Sequence, residues 1–278
     1  MTNISNRKLS ALHQENNMLE IKDSVAVITG GASGIGYSLA EYWIAEGGKA
    51  VIADVNPESL EMAAQKLKTR VATLQCDVSC EQDCTKLAAF AMDTFGAVNL
   101  VAPCAGIIKD GLMVDIDKET GKVKSKMSFE QFSSVININL TGVFLTVREC
   151  MEQMINHDCR GLICLISSTG SLGTAGQINY SSAKAAVSVM PRVITAELFR
   201  RKMAHKIRCV AIAPGYVKTP ILEGMNKTAL EYIIKKVPIC RLIDPEEIAS
   251  LVGELYRNQA LTGEVFFIHG GLRLDSKG

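Results

Sequence analysis

From Val25 to Ile268 the chain alternates short apolar, β-branched runs with longer stretches of helical period, and few architectures accept such a pattern. The runs read as strands are Val25–Ile28, Ala50–Ala53, Ala72–Gln75, Leu100–Ala102, Leu162–Ile166, Arg208–Ile212 and Val265–Ile268. Runs this continuously apolar belong to strands buried on both faces, and helical connections between parallel strands supply that cover. Right-handed crossovers then place helices on both sides. The prediction is an α/β fold, a single doubly wound domain with a seven-stranded parallel sheet. A length of 278 residues suits one such domain, and 47% apolar against 21% charged residues supplies its core. The domain is read over residues 18–278. Residues 1–17, polar and without periodicity, are read as a disordered extension, with Met18 as an alternative start.

Charge and cysteine usage narrow the function classes. Lys and Arg number 30 against 29 Asp and Glu, so no global field draws the chain to nucleic acid or an anionic membrane. Small molecules are the expected partners. No run reaches the roughly 18 apolar residues that span a bilayer, and a cytoplasmic protein is expected. The nine cysteines include no C-x-x-C pair, so no metal site is expected and free thiols are the reading. Cys76, Cys80 and Cys84 are four apart, but Cys76 follows a strand and the three are expected to diverge.

After the first strand comes Thr29-Gly30-Gly31-Ala32-Ser33-Gly34-Ile35-Gly36, running into the helical pattern Tyr37–Ala45. Glycines between a strand and a helix let backbone N–H groups approach a pyrophosphate, whose charge the helix N-terminus favours. Asp54 ends the second strand, where a carboxylate accepts from ribose hydroxyls and repels a 2′-phosphate. Together these features predict a Rossmann-type dinucleotide site with NAD as cofactor, contacted by Gly30, Ser33, Gly34, Ile35, Gly36 and Asp54.

Tyr180 and Lys184 stand four apart in a long helical segment, so their side chains share a face. An ammonium beside a phenol favours phenolate and is expected to lower its pKa toward that of a working acid/base. The spacing also arises at Tyr232 and Lys236, in an amphipathic stretch ahead of Pro238, where a helix surface is the reading. The charged stretch 109–126, after the fourth strand, is expected to form a surface loop or β-hairpin near the sheet's carboxyl edge.

Over residues 20–272 the chain resembles the short-chain dehydrogenase/reductase family, most nearly its 3-oxoacyl-[acyl-carrier-protein] reductase-like branch. The resemblance rests on the glycine turn, Asp77-Val78, Asn139 in Ile-Asn-Leu-Thr-Gly, Ser167-Ser168, Tyr180-x-x-x-Lys184 and Pro214-Gly215-x-x-x-Thr219. It implies catalytic roles for Ser167, Tyr180, Lys184 and Asn139. Ser167 lies thirteen residues before Tyr180, and Ser168 is the reserve should the strand register slip by one. Asn139 would hold a water that links Lys184 to solvent, while Asn137 would face elsewhere. Asp77 and Val78 would meet the adenine, Ala105 and Gly106 the ribose, and Pro214, Gly215, Val217 and Thr219 the carboxamide. Tyr180 and Lys184 would also hold the nicotinamide ribose. One departure is Pro103-Cys104-Ala105-Gly106, where the family usually has Asn-Asn-Ala-Gly.

The resemblance implies hydride exchange between nicotinamide and a secondary alcohol or ketone. The alternatives are an NADPH-dependent 3-oxoacyl-thioester reductase and a non-catalytic NAD-sensing scaffold. Segment 221–238, rich in Leu, Ile and Met, is expected to cover the substrate, and the long helices Phe129–Asn156 and Asn179–Arg201 to pair subunits into a homotetramer.

Overall fold

The computed structural model describes residues 18–219, 222 and 227–272. The extension expected at 1–17, and residues 221 and 223–226 of the cover expected at 221–238, lie outside them. Strands β1 (Val25–Thr29), β2 (Lys49–Asp54) and β3 (Val71–Gln75) are linked by helices α1 (Gly34–Ala45) and α2 (Pro57–Leu67). Helix α3 (Glu81–Phe95) leads to β4 (Leu100–Pro103). The charged stretch forms an antiparallel hairpin, β5 (Val114–Ile116) and β6 (Val123–Lys126). Then come α4 (Phe129–Ile136), a π-helical turn (Asn137–Thr141), α5 (Gly142–Asn156), β7 (Gly161–Ile166), α6 (Ile178–Arg200), β8 (Ile207–Pro214), α7 (Lys227–Lys236), α8 (Pro245–Arg257) and β9 (Val265–Ile268).

The main sheet has seven strands in the order β3-β2-β1-β4-β7-β8-β9, and every pairing is parallel. The period of two along each strand divides the core. Val25, Val27, Val51, Val101, Ile163 and Leu165 face α3, α5 and α6; Ala26, Ile28, Ile52, Leu100, Leu162 and Cys164 face α1, α2 and α8. On the second face Trp43 meets Tyr256 edge to face, ring centroids 4.8 Å apart, which joins α1 to α8.

Arg208 opens inward from β8 although no carboxylate meets it. Its guanidinium donates to the carbonyls of Leu255, Asn258 and Leu261 through Nη1 and of Tyr256 through Nη2, at 2.6–2.9 Å. The carbonyls of Leu255 and Tyr256 belong to the last turn of α8, which leaves them without helix partners, so the buried cation closes a helix C-terminus.

The strand order reverses between β1 and β4, and the crevice at their carboxyl ends is where such sheets bind ligands. Pro103 pairs with Thr29 of β1, but the β4–β7 ladder stops at Val101 with Ile163. Lacking an N–H, Pro103 has nothing to add to that ladder.

Two expectations are corrected. Phe129–Asn156 is not one α-helix, because the π turn at Asn137–Thr141 breaks it. Nor do the three cysteines all diverge. Past Gln75 the chain turns back into α3, and Cys76 and Cys84 lie buried in one core cluster, the Cys84 thiol donating to the Val78 carbonyl at 3.4 Å; the nearby Cys84 and burial hold Cys76 far above the ordinary thiol range. Cys80 goes its own way, to Gln82 Oε1 at 3.3 Å. All nine cysteines are free.

Candidate active site

The glycine turn is built for close approach. Gly30 has φ +62°, and a Cβ there would lie 2.8 Å from Ala105 Cα; at Gly36 it would lie 2.3 Å from the Gly30 carbonyl oxygen. The turn therefore folds flat against the end of β4. Ser33 caps α1 in extended backbone without a side-chain bond to the first turn, which carries no acidic residue. The N–H groups there are open to an anion, as a pyrophosphate requires. Gly34 faces Thr219, whose Cγ2 is 3.4 Å from a Cβ built on the glycine. The two ends of the sequence reading, some 185 residues apart, meet here.

Asp54 stands at the carboxyl end of β2, Oδ1 accepting the Asn56 N–H at 3.2 Å. Asp77 is exposed one strand further out; its Oδ1 accepts from Ser79 N and Oγ at 2.9 and 2.7 Å. Val78 is buried under Gly142, where a Cβ would come within 2.7 Å of Val78 Cγ2. Opposite, Pro214 closes β8, Gly215 packs on His269, and buried Val217 bridges to Ile243. These residues line the crevice at the carboxyl ends of the strands, and their glycine turn and open helix N-terminus fit a dinucleotide.

Tyr180 and Lys184 come together as their spacing requires. Lys184 is buried; its ammonium donates to the Ile166 carbonyl at 2.8 Å and stands 5.7 Å from the centroid of the Tyr180 ring. Burial brings its pKa down to about 8. The Tyr180 phenol moves the other way from the expected depression. Desolvation raises it, a hydrogen bond with Ser168 works against that rise, and the Asp110 carboxylate adds to it.

The two candidate serines face different ways. Ser167 is buried with its hydroxyl on the Lys184 carbonyl at 3.0 Å and on Ser188 Oγ at 2.6 Å, away from the phenol. Ser168 stands beside the phenol ring, since the Cβ position built on Gly170 lies 3.3 Å from both Ser168 Oγ and Tyr180 Cε1. Counting back from Tyr180 assumes a fixed loop length, whereas alternation along β7 decides which of two adjacent side chains faces the crevice. Ser168 Oγ accepts the Gly170 N–H at 3.0 Å, and its own proton is left for the phenol or a substrate oxygen.

Asn139 is fully buried in the π turn. Its amide is occupied at both ends by one residue, Nδ2 donating to the Ile107 carbonyl and Oδ1 accepting the Ile107 N–H, each at 2.9 Å. The side chain braces the loop after β4, so a water relay through this residue would have to use its backbone. Asn137 is exposed, as expected. Tyr232 is exposed as well, with the Lys236 ammonium 4.2 Å over its ring, on a helix surface.

A family model described as short chain dehydrogenase matches residues 24–230, a span holding the glycine turn and the Ser168–Tyr180–Lys184 cluster. The chain belongs to the short-chain dehydrogenase family. Among the relatives of this dehydrogenase are 3-hydroxyacyl-CoA dehydrogenases type-2 from Drosophila melanogaster and Homo sapiens, 34% and 33% identical over 261 residues. Each match covers 91% of this chain, and 99% and 97% of the relative. A 3-oxoacyl-[acyl-carrier-protein] reductase of Thermotoga maritima is 29% identical, covering 91% of this chain and 99% of its own. Among solved structures, the crystal structure of gox2181 superposes with a TM-score of 0.80 at 25% identity, covering 91% of this chain and 96% of that one.

Three residues of this dehydrogenase that the sequence reading did not place sit at the same crevice. Cys104, in the departure from Asn-Asn-Ala-Gly, is pushed up to about 12 by burial, and the Lys184 ammonium offsets only part of that rise. Asp110 and Gln177 are bonded to each other, Nε2 to Oδ2, at 2.9 Å. Gln177 lies three residues before Tyr180, a helical neighbour by spacing, and that was the available signal.

Proposed function

We propose that this chain is an NAD(H)-dependent oxidoreductase that interconverts a 3-hydroxyacyl thioester and its ketone. The observation that carries the reading is the convergence of Ser168, Tyr180 and Lys184 at a crevice whose far end carries Asp54. The nicotinamide, when bound, supplies or accepts the hydride. Ser168 donates to the substrate oxygen and orients it. Tyr180 passes its hydroxyl proton to that oxygen in reduction and takes it back in oxidation. Lys184, held by Ile166, keeps a positive charge behind the phenol and faces the ribose position. Asn139 fixes the loop at Ile107 that closes the crevice beside them. Alignment of this kind contributes several kcal/mol to a barrier.

Asp54 favours NAD, since a carboxylate repels a 2′-phosphate. The substrate class follows the names of the animal relatives and the exposed apolar side chains around Tyr180, Ile108, Leu112 and Met113 from one loop and Leu172 and Ile178 from the other. The Thermotoga relative supports a second reading, an NADPH-dependent 3-oxoacyl-thioester reductase. Titration with NADH and NADPH separates the two. Tight NADH with weak NADPH supports the first reading, the reverse order the second, and binding of neither a scaffold.

Phe144 and Ile155 on α5 and Val189, Val193 and Phe199 on α6 are exposed, and a homotetramer formed through these helices would cover them. Sedimentation showing only monomer at micromolar concentration would contradict that assembly. Nine free thiols suit the reducing cytoplasm as the place of work.

A further inference from the structure

The loop between β4 and the hairpin is stitched to the first turn of α6 more heavily than a surface loop requires. Gly111 N–H donates to the Gly176 carbonyl at 2.8 Å, and Asn179 Nδ2 to the Lys109 carbonyl at 2.9 Å. Gln131 Nε2 donates to the carbonyls of Lys109 and Asp110, both at 3.0 Å. The Asp110–Gln177 bond at 2.9 Å is the one side-chain pair among these contacts. Gln177 then points inward. Its Oε1 lies 3.4 Å from the Cβ position built on Gly170, and that same point is 3.3 Å from Ser168 Oγ and 3.3 Å from Tyr180 Cε1.

We propose that Asp110 is a positioning residue for the proton transfer at Tyr180: bonded to Gln177, it fixes the turn that carries the phenol and sets a negative charge beside it, so the hydroxyl keeps its proton. The groups facing the phenol are Lys184 from its own helix, Ser168 from the loop after β7 and Asp110 from the loop after β4. Cys104, just after β4, is kept neutral by burial and sets no charge beside Lys184. The Asp110 carboxylate raises the pKa of the phenol, and the Lys184 ammonium, 5.7 Å from its ring centroid, carries the opposite charge. Asp110 biases the pair toward the protonated acid that ketone reduction needs. Because Asp110 is exposed, its effect is screened by salt.

The inference rests on the reading of Tyr180 as the acid/base, and its test keeps the two apart. Asp110→Asn retains a partner for Gln177 and removes the charge. In this variant the rise of kcat/KM with pH for oxidation of a 3-hydroxyacyl-CoA should move down by about half a pH unit, and less so in high salt. Asp110→Glu should keep the wild-type profile. A uniform loss of rate with the rise unmoved would overturn the proposal. If the wild type turns over no such thioester, the reading of function fails, and the tyrosinate absorbance titration still decides the inference. The difference between each protein and its Tyr180→Phe counterpart reports Tyr180 alone, and it must shift downward in Asp110→Asn.

Discussion

Ser168 Oγ stands beside the Tyr180 ring and accepts the Gly170 N–H at 3.0 Å, and the neighbouring Ser167 turns into α6 against Lys184 and Ser188. One side chain faces the crevice and the other the core. Ser168→Ala should therefore lower kcat by about 10²- to 10³-fold, the usual cost of removing one donor at a developing charge. Ser167→Ala should leave kcat within roughly threefold and cost about 1 kcal/mol of stability, the worth of its buried hydrogen bonds. Steady-state kinetics and urea unfolding on the two variants check the assignment; the opposite pattern would return the role to Ser167.

Lys184 links the site to stability. Burial places its folded pKa at about 8, below the unfolded value, so the unfolded chain binds the extra proton between the two. The cost of burying the ammonium is present in full below about pH 8 and fades as pH rises toward 10.5, where both states are neutral. Lys184→Met removes the titration. The stability of wild type relative to this variant should climb across that window, by up to about 3 kcal/mol. Urea unfolding of both proteins from pH 7 to 10.5 measures it, and a flat difference would contradict the burial.

At Arg208 one guanidinium, which burial lowers to about 10, donates to four carbonyls. Arg208→Ala should destabilise the domain by about 3–5 kcal/mol, since it leaves buried acceptors unpaired at the end of α8. Thermal unfolding checks this, with NADH affinity of the folded fraction expected to hold because the residue is remote from the crevice.

The parallel sheet was legible because doubly covered strands write themselves as continuous apolar runs, and each of the seven expected runs lies within a strand of the sheet. The glycine turn was legible for a similar local reason: backbone contact at Gly30 and Gly36 leaves no room for a side chain. What escaped was anything set by facing direction or by partners distant in the chain. Spacing from Tyr180 selected Ser167, whereas the orientation at the end of β7 sets Ser168 beside the Tyr180 ring. Helical periodicity through Phe129–Asn156 is nearly unchanged by a π turn, so the break that buries Asn139 against Ile107 left no mark in the pattern. The electrostatics of Tyr180 could not be read from Lys184 alone, since desolvation and the Asp110 carboxylate raise its pKa.

The central claim is that Tyr180 carries the proton in an NADH-linked reduction. It is tested most directly by following NADH consumption with a short 3-oxoacyl-CoA, for the wild type and for Tyr180→Phe. The account predicts turnover by the wild type and a loss of about 10²-fold or more in the variant, with NADH binding retained. Equal turnover by the two proteins would contradict it.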